Sequence, residues 1–247
     1  MSEIFERKEI KYMLNNYQYN EFIKIVKEKM NLDKFGTSTI QSLYFDTIDD
    51  KLVKRSIEKP RSKEKLRLRS YNLSNMDDEV FLEIKKKYKG IVYKRRIGIK
   101  QKDVNKFLKG EINLSGQIGK ELNYFRDFYE TLEPRMLLIY DREPYVDNDI
   151  RITFDHNIRY RSFDFDFSKG YYGNSITNED LILMELKIKD AYPFWVIEAF
   201  EKLDIKQVSF SKYSTCYQLA NKKEIKLREE TKIWKKCLEV SLQALAL

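Results

Sequence analysis

Apolar positions along the chain follow two rhythms. Short stretches alternate apolar and polar side chains, with aromatic and β-branched residues in excess, at 5–14, 39–46, 66–71, 80–86, 91–99, 135–145, 150–160 and 181–189. That period of two predicts about eight strands. Apolar residues recur every three to four positions at 20–30, 103–108, 120–131, 193–203, 211–221 and 229–247, which predicts helices there. Pro193 suits an opening helical position, where an N–H has no intrahelical partner to lose. Strands crowd the middle of the chain while helices intervene or follow, so the class is α+β with an antiparallel sheet rather than repeated parallel crossovers. Only 8 Gly and 4 Pro punctuate the sequence, without a linker-like segment or repeat, and the expectation is one domain over residues 1–247. Its last helix, with Trp234, Leu238, Leu242 and Leu245 at helical spacing, is expected to pack on the domain or on a partner.

Side chains alternate faces along a strand, so the charges of each segment sort by parity. Arg7, Glu9 and Lys11 share a face of the first strand, Arg67 and Arg69 oppose Leu66 and Leu68, and Glu83, Lys85 and Lys87 oppose Leu82 and Ile84. Lys94 aligns with Arg96, Arg151 with Thr153 and Asp155, and Glu185 with Lys187 and Lys189. The solvated face of an ordinary half-buried sheet would give the same alternation. Two features favour another arrangement: these faces carry Arg and Lys with an occasional Glu in almost every strand, and amphipathic helices are available to cover the apolar face. Closing the sheet with its apolar face outward beneath helices makes a β-barrel whose charged faces converge on a hydrated, anion-binding tunnel. Arg supplies planar bidentate donors and Lys a compact charge, the two types that phosphate recognition uses.

A net charge of +8, from 47 Lys and Arg against 39 Asp and Glu, fits nucleic acid, phospholipid or phosphate partners. Cys216 and Cys237 make no disulfide framework and suit a reducing, cytoplasmic setting. An apolar run of about 18 residues is absent, as is a signal-peptide pattern, so neither export nor a membrane span is expected. His156 is the single histidine, which excludes a multi-histidine zinc site and suits a structural role. A phosphate-cradling glycine loop is missing too.

Eight pieces then occur in order: Phe5-Glu6-Arg7-Lys8-Glu9-Ile10-Lys11-Tyr12, Leu43-Tyr44-Phe45-Asp46-Thr47, Leu66-Arg67-Leu68-Arg69, Phe81-Leu82-Glu83-Ile84-Lys85, Tyr140-Asp141-Arg142, Arg151-Ile152-Thr153-Phe154-Asp155, Leu183-Met184-Glu185-Leu186-Lys187 and Phe210-Ser211-Lys212-Tyr213. In this order and spacing the chain, over residues 5–219, resembles the VTC-type polyphosphate polymerase domains of the triphosphate tunnel metalloenzymes. The resemblance implies a closed triphosphate tunnel with helices outside. It implies phosphate contacts from Lys11, Arg67, Arg69, Lys85, Arg142 and Arg151, and substrate contacts from Lys94, Lys212, Ser211 and Tyr44. Glu185, helped by Glu83 or Glu9, would hold Mn²⁺ or Mg²⁺, hard ions suited to carboxylate and phosphate oxygens. Parity singles out most of these residues independently, whereas Arg142 and Lys212 rest on the resemblance alone. Tyr44 and Tyr93 have rings able to stack on a nucleobase, although among 17 tyrosines packing is the stronger reading of each.

The reaction so implied moves the terminal phosphoryl of a nucleoside triphosphate such as ATP to a growing polyphosphate chain. Related tunnel phosphohydrolases carry Glu-x-Glu-x-Lys on the first strand; here Arg7-x-Glu9-x-Lys11 lacks one carboxylate, which favours the polymerase-like branch. Ser209 stands where VTC domains often carry a second basic residue, so one contact to the acceptor or the leaving chain is missing. Without a recognisable phosphoinositide-sensing or spanning extension, a stand-alone catalytic domain is expected. Hydrolysis of tripolyphosphate or a nucleoside triphosphate, and non-catalytic polyphosphate or RNA binding, remain alternatives. Lys85-Lys86-Lys87-Tyr88-Lys89 with Lys94-Arg95-Arg96 mixes cations and aromatics as nucleic-acid binders do, but parity splits these charges between two faces, against a flat RNA platform.

Overall fold

A computed structural model describes residues 8–58, 60–89, 91–147, 150–176, 181–189 and 191–222. Arg7, the expected helix at 229–247 and Cys237 lie outside the described residues. The elements run β1 (Lys8–Leu14), α1 (Asn16–Lys29), β2 (Asn31–Leu32), β3 (Ser38–Asp46), α2 (Lys51–Ile57), β4 (Ser62–Tyr71), β5 (Glu79–Tyr88), β6 (Ile91–Lys100), α3 (Val104–Leu108), α4 (Gly116–Tyr129), β7 (Glu133–Asp147), β8 (Ile150–Arg161), β9 (Asn174–Ser175), β10 (Ile182–Ile188) and α5 (Phe194–Lys202). A last helix, α6, covers 212–222. Each predicted strand is present. Unpredicted are the two-residue strands β2 and β9, too short for a period, and the short α2, whose start is set by a side chain of the preceding strand. The buried Asp46 carboxylate accepts from the N–H groups of Leu52 and Val53 at 2.8 and 2.9 Å and so caps that helix from the end of β3.

The ten strands form one antiparallel sheet in the order β1-β10-β8-β7-β3-β4-β5-β6, with β2 and β9 pairing β7 and β8 at its margin. In a flat sheet β1 and β5 would lie about 29 Å apart, six strand spacings. Instead Lys85 Nζ on β5 stands 3.6 Å from Glu9 Oε1 on β1, so the sheet curls until its two ends face each other. The closed barrel expected from the sequence is not formed among the described residues, since β1 and β6 do not pair. The free edge of β1 meets another part of the chain: Val208 N donates to Lys11 O at 2.8 Å, beside a bridge between Tyr12 and Gln207. The result is a deep trough.

The convex face is apolar. Beneath α1 and α5 it presents Tyr12, Leu14, Ile152, Phe154, Met184 and Leu186, and beneath α3 and α4 it presents Leu43, Leu66, Leu68, Leu82, Leu137 and Ile139. The concave face departs from the expectation of helices packed only outside. Half of it is lined by Tyr44, Met136, Leu138 and Tyr160, and on these α6 lays Tyr213 and Cys216. A register shift in the β7–β8 pair explains how β8 serves both needs. Asn157, in the left-handed region at φ 47°, absorbs the extra residue, so Arg151, Thr153 and Asp155 face inward before it and Ile158 and Tyr160 after it.

Candidate functional site

The charged half of the concave face is built by strand register. Lys11 pairs with Glu185, Glu9 with Lys187, Asp155 with Arg142, Lys65 with Lys85, Arg67 with Glu83, Lys85 with Lys94 and Glu83 with Arg96, each pair facing the same way across adjacent strands. Two ion clusters and a bridge result. In the first, Glu185 receives Lys212 at 3.0 Å, Lys11 at 3.3 Å and Arg142 at 3.3 Å. Asp155, fully buried, takes Arg142 through Nε and Nη2 at 2.6 and 2.7 Å and Lys212 at 2.5 Å. Burial raises the affinity of both carboxyls for a proton, but Lys212, Lys11 and Arg142 hold Glu185 well below the usual range, and Arg142 with Lys212 lowers Asp155.

The second cluster centres on Glu83, which takes Arg67 and Lys94, each at 2.7 Å, with Arg96 at 3.8 Å. Burial would raise its carboxyl, yet Arg67, Arg69 and Lys94 overcome that and hold it at about 2. Depression from an ordinary 4.5 means that its stabilising effect is complete above about pH 4.5 and is lost as pH falls towards 2. At 1% exposure solvent screens it little, and the shift corresponds to about 3 kcal/mol. Urea midpoints measured from pH 6 to pH 2 are expected to fall steeply in this acid window, with a shallower fall in Glu83→Gln. Equal slopes in the two proteins would contradict it.

Between the clusters, Glu9 lies 3.5 to 3.8 Å from Lys187, Lys85 and Lys11 and joins the two ends of the sheet. Lys65 stands apart from the carboxylates, donating to Ser211 Oγ at 2.9 Å. Its burial, with Lys63, Lys11, Lys85 and Arg67 around it, lowers its ammonium to about 7. Lys94 is lowered to about 8, chiefly by burial and against the pull of Glu83. Ten of the inward cations (Lys11, Lys65, Arg67, Arg69, Lys85, Lys94, Arg96, Arg142, Lys187 and Lys212) thus stand on one wall with four carboxylates (Glu9, Glu83, Asp155 and Glu185). Such a surface carries a net positive charge, which attracts anions.

Residues 6–221 match the family described as the VTC domain. The chain belongs to the VTC domain family. A curated relative, the Trypanosoma cruzi "Vacuolar transporter chaperone complex subunit 4", is 24% identical over a match that covers 66% of this chain and 26% of that protein, so the chain spans about a quarter of the relative's length. Among solved structures, a candidate adenylate cyclase from Bacillus halodurans superimposes with a TM-score of 0.52 at 15% identity, over 83% of this chain and 95% of that one, a likeness of fold. A Hippeastrum protein described as a candidate adenylyl cyclase with a dominant triphosphatase activity aligns at a TM-score of 0.49 and 16% identity, over 85% and 94% of the two chains. The VTC domain here is α+β and shares its fold with the Bacillus halodurans structure.

Of the residues predicted from sequence, Lys11, Arg67, Arg69, Lys85, Lys94, Arg142, Lys212, Ser211, Glu9, Glu83 and Glu185 stand on or beside the charged wall of this VTC domain. Arg151 has the right parity, but its guanidinium is taken by Asp33, away from both clusters. Tyr44 is not open to a nucleobase: its ring stacks on Tyr213 at 4.4 Å and its hydroxyl accepts from Arg67 at 3.2 Å. The three carboxylates named for metal do not converge. Glu83 sits among cations in its own cluster, while Glu9 and Glu185 are near enough for each to feel the other's charge. His156 packs edge-on against Tyr19 at 4.9 Å, a structural place.

Sequence reading missed Lys65, Asp155 and Tyr140 as parts of the wall. Lys65 continues the Lys65-x-Arg67-x-Arg69 alternation, a signal lost by starting the strand at 66. Asp155 had the parity but no visible partner until Arg142 was placed opposite it. Tyr140, whose hydroxyl accepts from Arg69 Nη2 at 3.1 Å, is one tyrosine among 17.

Proposed function

We propose that this chain is a metal-dependent phosphotransferase that moves the terminal phosphoryl of a nucleoside triphosphate to a growing polyphosphate chain. The observation that carries the reading is the excess of inward cations on the wall, with Lys65 lacking a carboxylate partner among the described residues. In this reading the trough, bridged by Glu9 and Lys85 and bordered by residues 207–212, acts as the tunnel. Phosphoryl transfer asks of a protein mainly in-line placement and charge neutralisation. Arg67, Arg69 and Lys94 would hold one phosphate group and Lys11, Arg142 and Lys212 another, with Lys65 and Lys85 between them. Ser211 would orient Lys65. Arg7 in place of a first-strand carboxylate supports phosphate rather than water as acceptor.

The donor set suits an ion that arrives with its phosphates. Among the described residues no three of His, Cys, Asp and Glu converge, so a cage made by protein alone is not built. Mg²⁺ and similar ions are commonly held by one or two carboxylates plus substrate oxygens, a role open to Glu185 and Glu9. Bound there, the ion would neutralise charge on the phosphate oxygens. The deciding experiment incubates the protein with ATP and Mn²⁺ and resolves the products. Long polyphosphate is expected; free phosphate alone would make the protein a hydrolase, and unchanged nucleotide would overturn both.

Lys65 gives the reading a pH signature. An anion binds the ammonium form, which is lost above about pH 7 in the free protein. Binding must then take up a proton, so metal-free tripolyphosphate affinity is expected to fall by up to about tenfold per pH unit above that point. Lys65→Arg, which stays charged, should move the start of the fall up to about pH 8, where Lys94 loses its proton. Calorimetry in buffers of differing ionisation enthalpy reads both the affinity and the proton uptake. An affinity flat from pH 6.5 to about 9 in the natural protein would remove Lys65 from the site.

A further inference from the structure

The convex face of β5 and β6 is covered by α4 only part of the way. Leu82 and Ile84 lie buried among Leu122 and Phe125, and Arg95 reaches Glu121 of α4 at 3.1 Å. Beyond that contact the hairpin overhangs its helix layer. Register places Tyr88 beside Ile91 and Lys86 beside Tyr93, and all four point to the same outer side as Arg95. Tyr88, Ile91 and Tyr93 are 39–45% exposed there, and Val92, beside Lys87 on the opposite side of the hairpin's free end, is 44% exposed. The patch continues across Lys86 to Tyr124 and Phe128 of α4, which are stacked on each other and 70% and 60% exposed. Contiguous exposed apolar side chains of this kind mark a contact surface.

The hairpin's own charge has one sign. From Ile84 to Lys102 the chain holds nine Lys and Arg and no Asp or Glu. Lys86 and Arg95 on the outer side are drawn back to Glu64 and Glu121, but Lys87, on the other side of the same strand end, and Lys89, in the turn, have no carboxylate partner among the described residues, so cations surround the free end of the hairpin. A partner must therefore be anionic and offer an apolar layer beneath its charge. Protein interfaces exclude lysine from their centres, and single-stranded nucleic acid asks for aromatic faces along a groove, where Ile91 and Val92 offer none. Tyrosine and aliphatic tips set among lysines are the composition of a bilayer interface, with the rings at headgroup depth and the ammonium groups on the lipid phosphates.

We infer that the β5–β6 hairpin, with the exposed edge of α4, docks this domain on an anionic membrane surface. This does not depend on the phosphotransferase reading. The test is sedimentation of the full chain with vesicles of phosphatidylcholine containing one-quarter phosphatidylserine, against vesicles of phosphatidylcholine alone. Binding is expected only with the anionic lipid and should weaken in high salt. Ile91→Ser with Tyr93→Ser should lower partitioning at least tenfold, and Lys87→Glu with Lys89→Glu by a similar factor, since each cation near the surface is worth about fivefold. Lys29→Glu with Lys202→Glu, the same charge change elsewhere on the surface, should alter it less than about twofold. Unfolding midpoints confirm that each variant is folded. Absence of the natural chain from anionic vesicles would overturn the inference. So would an equal loss in the Lys29 and Lys202 pair, which would reduce the effect to net charge, and so would hairpin-dependent capture of single-stranded RNA without vesicle binding.

Discussion

Glu185→Gln is expected to lower metal-dependent turnover of ATP by at least about 10²-fold, the loss typical of removing one charge-stabilising group at a reacting centre. Burial cannot substitute for the lost charge, because Lys212, Lys11 and Arg142 all converge on this carboxylate at 3.0–3.3 Å. The same substitution should raise the affinity for tripolyphosphate without metal, by about tenfold, since it removes an anion that competes for those cations. Opposite signs of the two effects separate a metal-holding role from a structural one, in which both quantities would fall together. Steady-state turnover with Mn²⁺ and a metal-free titration measure them. Unchanged turnover would remove Glu185 from the site.

Arg142→Ala should destabilise the fold by about 3–5 kcal/mol, the usual result of leaving a buried charge without its partner. Asp155 loses two short bonds, at 2.6 and 2.7 Å, and is left with Lys212 alone, which Glu185 also claims. Arg142→Lys should recover only part of this, because an ammonium lacks the planar fork that serves two carboxylate oxygens at once. Asp155→Asn in the Arg142→Ala background removes the orphaned charge and should return some of the loss. Urea unfolding of the three variants tests the order. A cost below about 1 kcal/mol for Arg142→Ala would mean that water or Lys212 already satisfies Asp155.

The two clusters suggest how a polyanion would meet the wall. Most of these cations already have a protein carboxylate, Lys65 and Arg69 being bonded to hydroxyls instead, so phosphate oxygens would have to displace Glu9, Glu83 and Glu185 from some of their partners. Such an exchange keeps the wall stable when empty while leaving a net positive field to attract the ligand.

Which residues face inward was largely legible from alternation alone. Lys11, Arg67, Arg69, Lys85, Lys94 and Glu185 follow from a backbone geometry that turns successive side chains to opposite sides, a rule that needs no knowledge of neighbours. The strands themselves were legible for the same reason, and the long helices through their wider period. What β1 through β10 do together was not. Whether the sheet curls or lies flat, which carboxylate each cation meets, and that α6 enters the concave side and covers Tyr44 depend on how strands pair and helices pack, across separations from 13 positions for Arg142 and Asp155 to 199 for Lys11 and Phe210. Glu9 and Lys85 illustrate the division: sequence spacing sets the face on which each stands, but only the curvature of five intervening strands brings them within 3.6 Å.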